Sequence, residues 1–126
     1  EPLNISLASS FNCIDTFKQE IKIIDKAIEK AIAGLNPNAY TILTSIDGIG
    51  PVFASGILAE IGYISSFHSQ DALAKYAGLT WTRAQSGEFE ADESRMTKAG
   101  NRYLRYYLGE AANSMKNHTS EYRDFY

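Results

Sequence analysis

From Ile14 onward the apolar residues Ile14, Phe17, Ile21, Ile24, Ile28 and Ala31 recur at steps of 3, 4, 3, 4 and 3. Only an α-helix turns that spacing into one continuous stripe, and a strict heptad is the spacing of a coiled-coil seam. Leu7 extends the seam, while Lys18, Glu20, Lys22, Asp25, Lys26, Glu29 and Lys30 fill the other faces. The pattern predicts a helix over residues 7–33, closed by Gly34 and by an Asn36-Pro37-Asn38 turn. About three heptads make a coiled coil marginal, so two readings stay open. The helix packs on its own domain, or it belongs to a longer coiled coil that dimerises.

After the seam the apolar spacing stays helical. A short helix over 39–45 leads into Ile46-Asp47-Gly48-Ile49-Gly50-Pro51. Val52, Phe53, Ala54, Ile57, Leu58 and Ile61 then mark a second helix, ended by Gly62. Pro51 suits its first position, because the N–H that proline lacks would have no partner there. Ser69 is placed to cap a helix over 70–77, ended by Gly78. Residues 79–92 lack helical periodicity and fit a short β-hairpin with Gly87 near its turn. Thr97 or Ser94 is expected to cap a helix through Tyr103, Leu104, Tyr107, Leu108, Ala111, Ala112 and Met115. A last helical turn falls within 120–126. The fold class expected is mainly α: a helical domain with a helix-hairpin-helix-like motif, a long N-terminal coiled-coil-like helix and a short β-hairpin. Residues 1–36 form the heptad helix, read as an oligomerisation element, and residues 37–126 form the rest.

Composition sets the outer limits. At 126 residues and 44% apolar, the chain suffices for one domain with a modest core. No apolar run approaches the roughly 20 residues that span a bilayer, and no signal-peptide pattern opens the chain. Membrane association is not expected. The single cysteine, Cys13, excludes an intrachain disulfide and cannot build a zinc site alone, which favours the cytoplasm. Because the chain opens on Glu1-Pro2 without methionine, it is expected to be part of a longer protein. Net charge is −3, against nucleic acid if taken alone, but its distribution matters more. Residues 1–78 carry 8 acidic and 5 basic side chains, and residues 79–126 carry 7 of each. There an acidic block, Glu88, Glu90, Asp92 and Glu93, is followed at once by Arg95, Lys98, Arg102 and Arg105.

Three constellations could carry chemistry. The Gly48-Ile49-Gly50 turn between two helices, with Ile49 as a buried plug, leaves the first amides of the second helix beside its positive dipole end. That arrangement suits a phosphate, although an ordinary tight αα-turn has the same pattern. Arg95, Lys98, Arg102 and Arg105 would share one stripe if residues 95–105 were all helical. Tyr103, Tyr106 and Tyr107 are interleaved for stacking, and Asn101 adds a polar contact to phosphates or base edges. The bland alternative is a solvated face paired with the acidic block. Third, Ser86 beside Gly87 is sterically open, as a nucleophile must be, yet most Ser-Gly pairs are turns. Neither His68 nor His118 can be assigned as its base, and no metal-ligand spacing stands out.

Several blocks, in order, resemble the C-terminal domain of a transposase family named for insertion sequences 110, 116 and 902. They run from Leu43-Thr44-Ser45-Ile46-Asp47-Gly48-Ile49-Gly50 and Ala59-Glu60-Ile61-Gly62 through Phe67 and Ala72-Leu73-Ala74-Lys75-Tyr76-Ala77-Gly78-Leu79. Gln85-Ser86-Gly87, Ser94-Arg95-Met96-Thr97-Lys98-Ala99-Gly100-Asn101 and Leu104-Arg105 complete them. The resemblance covers residues 40–115, and the coiled-coil-like helix also matches in kind. It implies a DNA recombinase whose N-terminal RuvC-like domain, outside this sequence, holds a divalent metal such as magnesium on an acidic tetrad. No cofactor is expected within these 126 residues. Implied partners are DNA, a guide RNA in some members, the RuvC-like domain, and further copies of the chain in a dimer or larger assembly. The resemblance assigns Ser86 as the nucleophile that links covalently to DNA. Alone, the fragment is expected to be inactive. Trp81 departs from the pattern, standing where relatives usually have proline, so the loop to Ser86 is expected to differ in shape. The alternative is a non-catalytic module that binds nucleic acid and dimerises.

Overall fold

Pro37 and Pro51 each stand in the first turn of a helix, and between them they organise the first half of the chain. A computed structural model describes residues 2–82, 85–86, 89–90 and 95–124. Helix α1 spans Pro2–Leu35, α2 Pro37–Thr44, α3 Pro51–Ile61, α4 Gln70–Ala77, α5 Arg102–His118 and α6 Ser120–Asp124. A 3-10 turn, Ile64–Ser66, follows α3, and four two-residue strands separate α4 from α5. The fold is mainly α with a long N-terminal helix, as the spacing predicts.

The first helix is longer than its seam. It runs through Gly34 and stops at Asn36 (φ −143°, ψ 70°), whose side chain caps α2 by accepting from the Ala39 amide. The stop belongs to Pro37, whose ring pushes the preceding residue out of the helical region, and not to Gly34. The expected Asn36-Pro37-Asn38 turn is therefore the cap and first turn of α2. Further along, Ser69 caps α4 through the Ala72 amide, and Gly62 and Gly78 close α3 and α4.

Helix α3 lies at the centre, packed on α5 and flanked by α1 and α2. Ile49, Ala54, Ile57, Ala77, Leu104 and Ala111 form the buried core, with Leu43, Phe53, Leu73, Tyr107 and Met115 packed around it. Leu104 is fully enclosed, a burial that contributes about 2 kcal/mol. Only the C-terminal part of α1 joins this body. Ile28 lines one small cavity with Val52, Ser55 and Ala59, and Ile32 and Leu35 line another with Leu58 and Gly62. Tyr40 fixes the corner by donating to Glu29 Oε1 at 2.8 Å. Its partial burial and the Glu29 carboxylate both hold the neutral phenol and raise its pKa above 10.0. Residues 2–24 are exposed throughout, and the seam residues Ile14, Phe17, Ile21 and Ile24 touch no other element's core.

Between α4 and α5 the chain forms two antiparallel pairs. Strand β1 (Trp81–Thr82) pairs with β4 (Arg95–Met96), in register Trp81 to Met96 and Thr82 to Arg95. Strand β2 (Gln85–Ser86) pairs with β3 (Phe89–Glu90), in register Gln85 to Glu90 and Ser86 to Phe89. This is the short hairpin expected from the missing helical period. Gly87, expected near its turn, lies outside the described residues, as do Glu88, Asp92, Glu93 and Ser94.

Candidate functional site

The sequence-nominated residues fall at two ends of α5. At its C-terminal end sits the turn between α2 and α3. Ile49 is buried, as the plug reading requires, and Gly48 has φ 95°. A Cβ on Gly48 would stand 2.7 Å from the backbone N and Cα of Met115, so the turn rests directly on the α5 backbone. Gly50 differs, since nothing approaches its Cβ position within 4 Å. As N-cap of α3 it supplies no side chain to the first amides. Gly50, Pro51, Val52 and Phe53, at the head of α3, line an open cavity of about 450 Å³ with Asp47, Ser114 and His118. The dipole end there attracts an anion while the exposed Asp47 carboxylate opposes one.

The basic residues gather at the other end, and the single helical stripe expected of them does not form. Arg95 is in β4 and Lys98 has φ 52° in the connection. Helix α5 begins only at Arg102 and is capped by Asn101, not by Thr97 or Ser94. The physical reason is local. Thr97 is held extended beside β1 by donating its amide to the Thr80 carbonyl at 2.8 Å. Asn101 Oδ1 accepts from the amides of both Tyr103 and Leu104 at 3.0 Å, which starts the helix there.

Two of the expected nucleic-acid contacts are tied down by the fold. Asn101 Nδ2 donates to Glu60 Oε2 at 2.8 Å and to Tyr76 Oη at 3.3 Å, joining α3, α4 and α5. Arg105 Nη1 donates to the Ala77 carbonyl at 2.9 Å and to the Lys98 carbonyl at 3.1 Å. Lys98 and Arg102 are exposed, and the Arg102 guanidinium lies 4.9 Å from the centre of the Tyr103 ring. Arg95 is exposed on the same root. Tyr103 and Tyr106 are exposed while Tyr107 packs against the core, so the interleaved tyrosines divide between surface and interior. Trp81, on β1, is 59% exposed beside this cluster.

Ser86 lies on β2, opposite Phe89; its side chain is outside what the structure describes. It is four residue steps from Thr82, the register partner of Arg95, and each step spans at most about 3.6 Å. Ser86 therefore stands within about 14 Å of Thr82, at the edge of the cationic root. The turn at Gly48 is more distant. Its contact at Met115 is 13 residues along α5 from Arg102, roughly 20 Å at 1.5 Å per residue. One phosphate cannot be shared between these ends.

Glu60 and Tyr76, to which the sequence assigns no site role, are the partners of Asn101. The signal that could have found them is Gly100-Asn101, a cap residue after a glycine, but its partners lie 41 and 25 residues away. Among the described residues no three of His, Cys, Asp and Glu gather where they could hold a metal. The divalent ion that the resemblance implies has no ligand set in them. Nor is any described helix long and apolar enough to cross a membrane.

Residues 40–126 match the family described as Transposase IS116/IS110/IS902 family. The chain is also similar to a Sinorhizobium fredii protein named "Putative transposase y4rJ", 39% identical over 74 residues. That stretch is 59% of this chain and 18% of the relative, so the chain spans about a fifth of the protein it matches.

Proposed function

The chain belongs to the IS116/IS110/IS902 transposase family, and from that premise we propose that it is the part of a DNA recombinase that grips nucleic acid and presents Ser86 for strand cleavage. The observation that carries this reading is the cationic root. Arg95, Lys98 and Arg102 are exposed around the base of the strands that bear Ser86, with the aromatic faces of Tyr103 and Trp81 beside them. In the reaction the Ser86 Oγ–phosphorus bond forms and one phosphorus–oxygen bond to deoxyribose breaks. The serine proton leaves to a base outside these 126 residues, and the released sugar oxygen takes up a proton. Cations beside the attacked phosphate offset the charge that builds on it.

The turn at Gly48-Ile49-Gly50 is the second contact of the same reading. Its amides meet backbone phosphate of DNA or of a guide RNA in the helix-hairpin-helix manner. At roughly 20 Å from the root, the two contacts fit one duplex about six base-pair steps apart, at 3.4 Å per step. The divalent metal is assigned to a RuvC-like domain outside this sequence, and the setting to the bacterial cytoplasm. The exposed seam of α1 favours a further element, pairing with another copy of the chain. In the alternative reading the chain only binds nucleic acid and dimerises, and Ser86 is a strand residue.

A denaturing gel separates the two. The full-length protein, incubated with its element DNA and any encoded RNA, is expected to give a covalent protein–DNA adduct that Ser86→Ala abolishes while DNA binding survives. An adduct that persists in Ser86→Ala removes the nucleophile from this chain and leaves the binding module.

A further inference from the structure

We propose that Arg105 is a positioning residue, which aims the strands bearing Ser86 by clamping their root, and is not itself a phosphate contact. The inference rests on the Ser86 reading above and deepens it. Its basis is the set of bonds that gathers where the chain leaves α4 and re-enters α5. On the outgoing leg, Ala77 is fully buried at the end of α4, and its carbonyl accepts from Arg105 Nη1 at 2.9 Å. On the returning leg, the Lys98 carbonyl accepts from the same nitrogen at 3.1 Å. One guanidinium nitrogen therefore binds both legs. Around it the legs are stitched directly. Thr97 N–H donates to Thr80 O, the Thr80 and Thr97 hydroxyls share a hydrogen bond at 3.2 Å, and Asn101 N–H donates to Tyr76 O at 2.7 Å. Gly100 lets the legs close this far, because a Cβ there would meet the Tyr76 carbonyl oxygen and stand 2.6 Å from the Gly78 nitrogen.

The strands beyond need such a root. Each described pair is two residues long, and an isolated two-stranded ribbon is marginal in water. Small changes of angle at the root move Ser86 by several ångströms over a reach of about 14 Å. A misplacement of 1 Å in a reacting group costs rate far more than binding. Arg105 is half-buried and anchored on α5 one residue from the enclosed Leu104, so it holds the legs from the most rigid part of the molecule. Arg102, three residues earlier and fully on the surface, is the contrast.

Salt dependence distinguishes a clamp from a contact. Each phosphate neutralised adds about 0.9 to the slope of log K against log salt on duplex DNA. The full-length protein with its element DNA and any encoded RNA is assayed for that slope and for single-turnover adduct formation at saturating DNA. Arg105→Met is expected to leave the slope unchanged and to slow adduct formation about tenfold or more. Arg102→Met, which removes one exposed cation, is expected to lower the slope by about 0.9 and so sets the scale for the loss of one phosphate contact. A slope that falls by about 0.9 in Arg105→Met, with its saturated rate intact, overturns the proposal. Should Arg105→Met fail to fold by circular dichroism, Thr97→Val removes one hydroxyl of the root and no cation. A slower adduct at unchanged slope supports the clamp, and an unchanged rate overturns it. Ser86→Ala is run alongside. An adduct surviving in it overturns the nucleophile reading, and this inference with it; an adduct lost in Ser86→Ala but unaffected in Arg105→Met overturns the clamp alone.

Discussion

Gly48 and Gly50 are two residues apart in one motif, yet they are glycines for different reasons. Gly48 holds φ 95°, and a Cβ there would stand 2.7 Å from the α5 backbone, which cannot step aside as a flexible side chain would. A non-glycine residue at positive φ costs about 1–2 kcal/mol, and overpacking adds about 1–3 kcal/mol. Gly48→Ala is therefore expected to lose about 2–5 kcal/mol in urea unfolding, whereas Gly50→Ala, in open space at φ −80°, should lose less than about 1 kcal/mol. Equal losses at the two positions would mean that the turn does not rest on α5. The pair also shows what a sequence can disclose at this scale. The buried Ile49, Pro51 at the head of α3 and Ser69 capping α4 were all legible, because each depends on neighbours within four residues. Asn101 and Arg105 were legible only as a polar and a charged side chain. Their partners, Glu60, Tyr76 and Ala77, come from elements that only the tertiary fold brings near. Ser86 is a further case, since its nomination comes from family resemblance and its neighbours in sequence say little.

At the scale of elements the same division holds. Helices α3 and α4 were predicted nearly to the residue from apolar spacing and caps. Helix α5 starts later than the expected caps, Thr97 or Ser94, because β4 takes Arg95 and Met96 into pairing with β1 and Thr97 bonds to Thr80. Helix α1 poses the opposite case, a pattern that is present without the burial it normally reports. Phe17 is 68% exposed, Ile21 56% and Ile24 54%. A helix whose residues 2–24 are all exposed gains little tertiary support, and packing of an apolar face supplies most of a helix's stability in a protein. Pairing with the same seam of a second copy, as proposed, would supply that packing. Hydrogen exchange on the chain at high concentration is expected to show slow amides over 14–28. Ile21→Glu, which places a charge in the seam, should return them to fast exchange while leaving α3 and α5 protected. Fast exchange over 14–28 in both proteins would leave α1 a lone projecting helix.

For the whole molecule, surface area makes the same argument in different terms. The chain exposes 10046 Å², whereas a compact monomer of its mass exposes about 6,700 Å². Much of the excess is α1, about 51 Å long, of which little more than the last third rests on the body. The rest includes a half-open apolar cavity of about 420 Å³ between α2, α3 and α5, where Ile42 and Ile64 stay exposed. Among the described residues seven apolar side chains are buried, little to oppose the conformational entropy of folding. Stability should then depend on association, and association depends on concentration. If copies bind one another only when folded, the melting temperature must rise with protein concentration by mass action. Raising the concentration a hundredfold at fixed salt is expected to lift it by several degrees, with sedimentation showing dimers or larger species at the upper end. Ile21→Glu should flatten that dependence and sediment as a monomer at every concentration. A melting temperature independent of concentration in the unaltered chain would place its stability in the α3–α5 body alone, and the exposed seam would then await a partner other than its own copy.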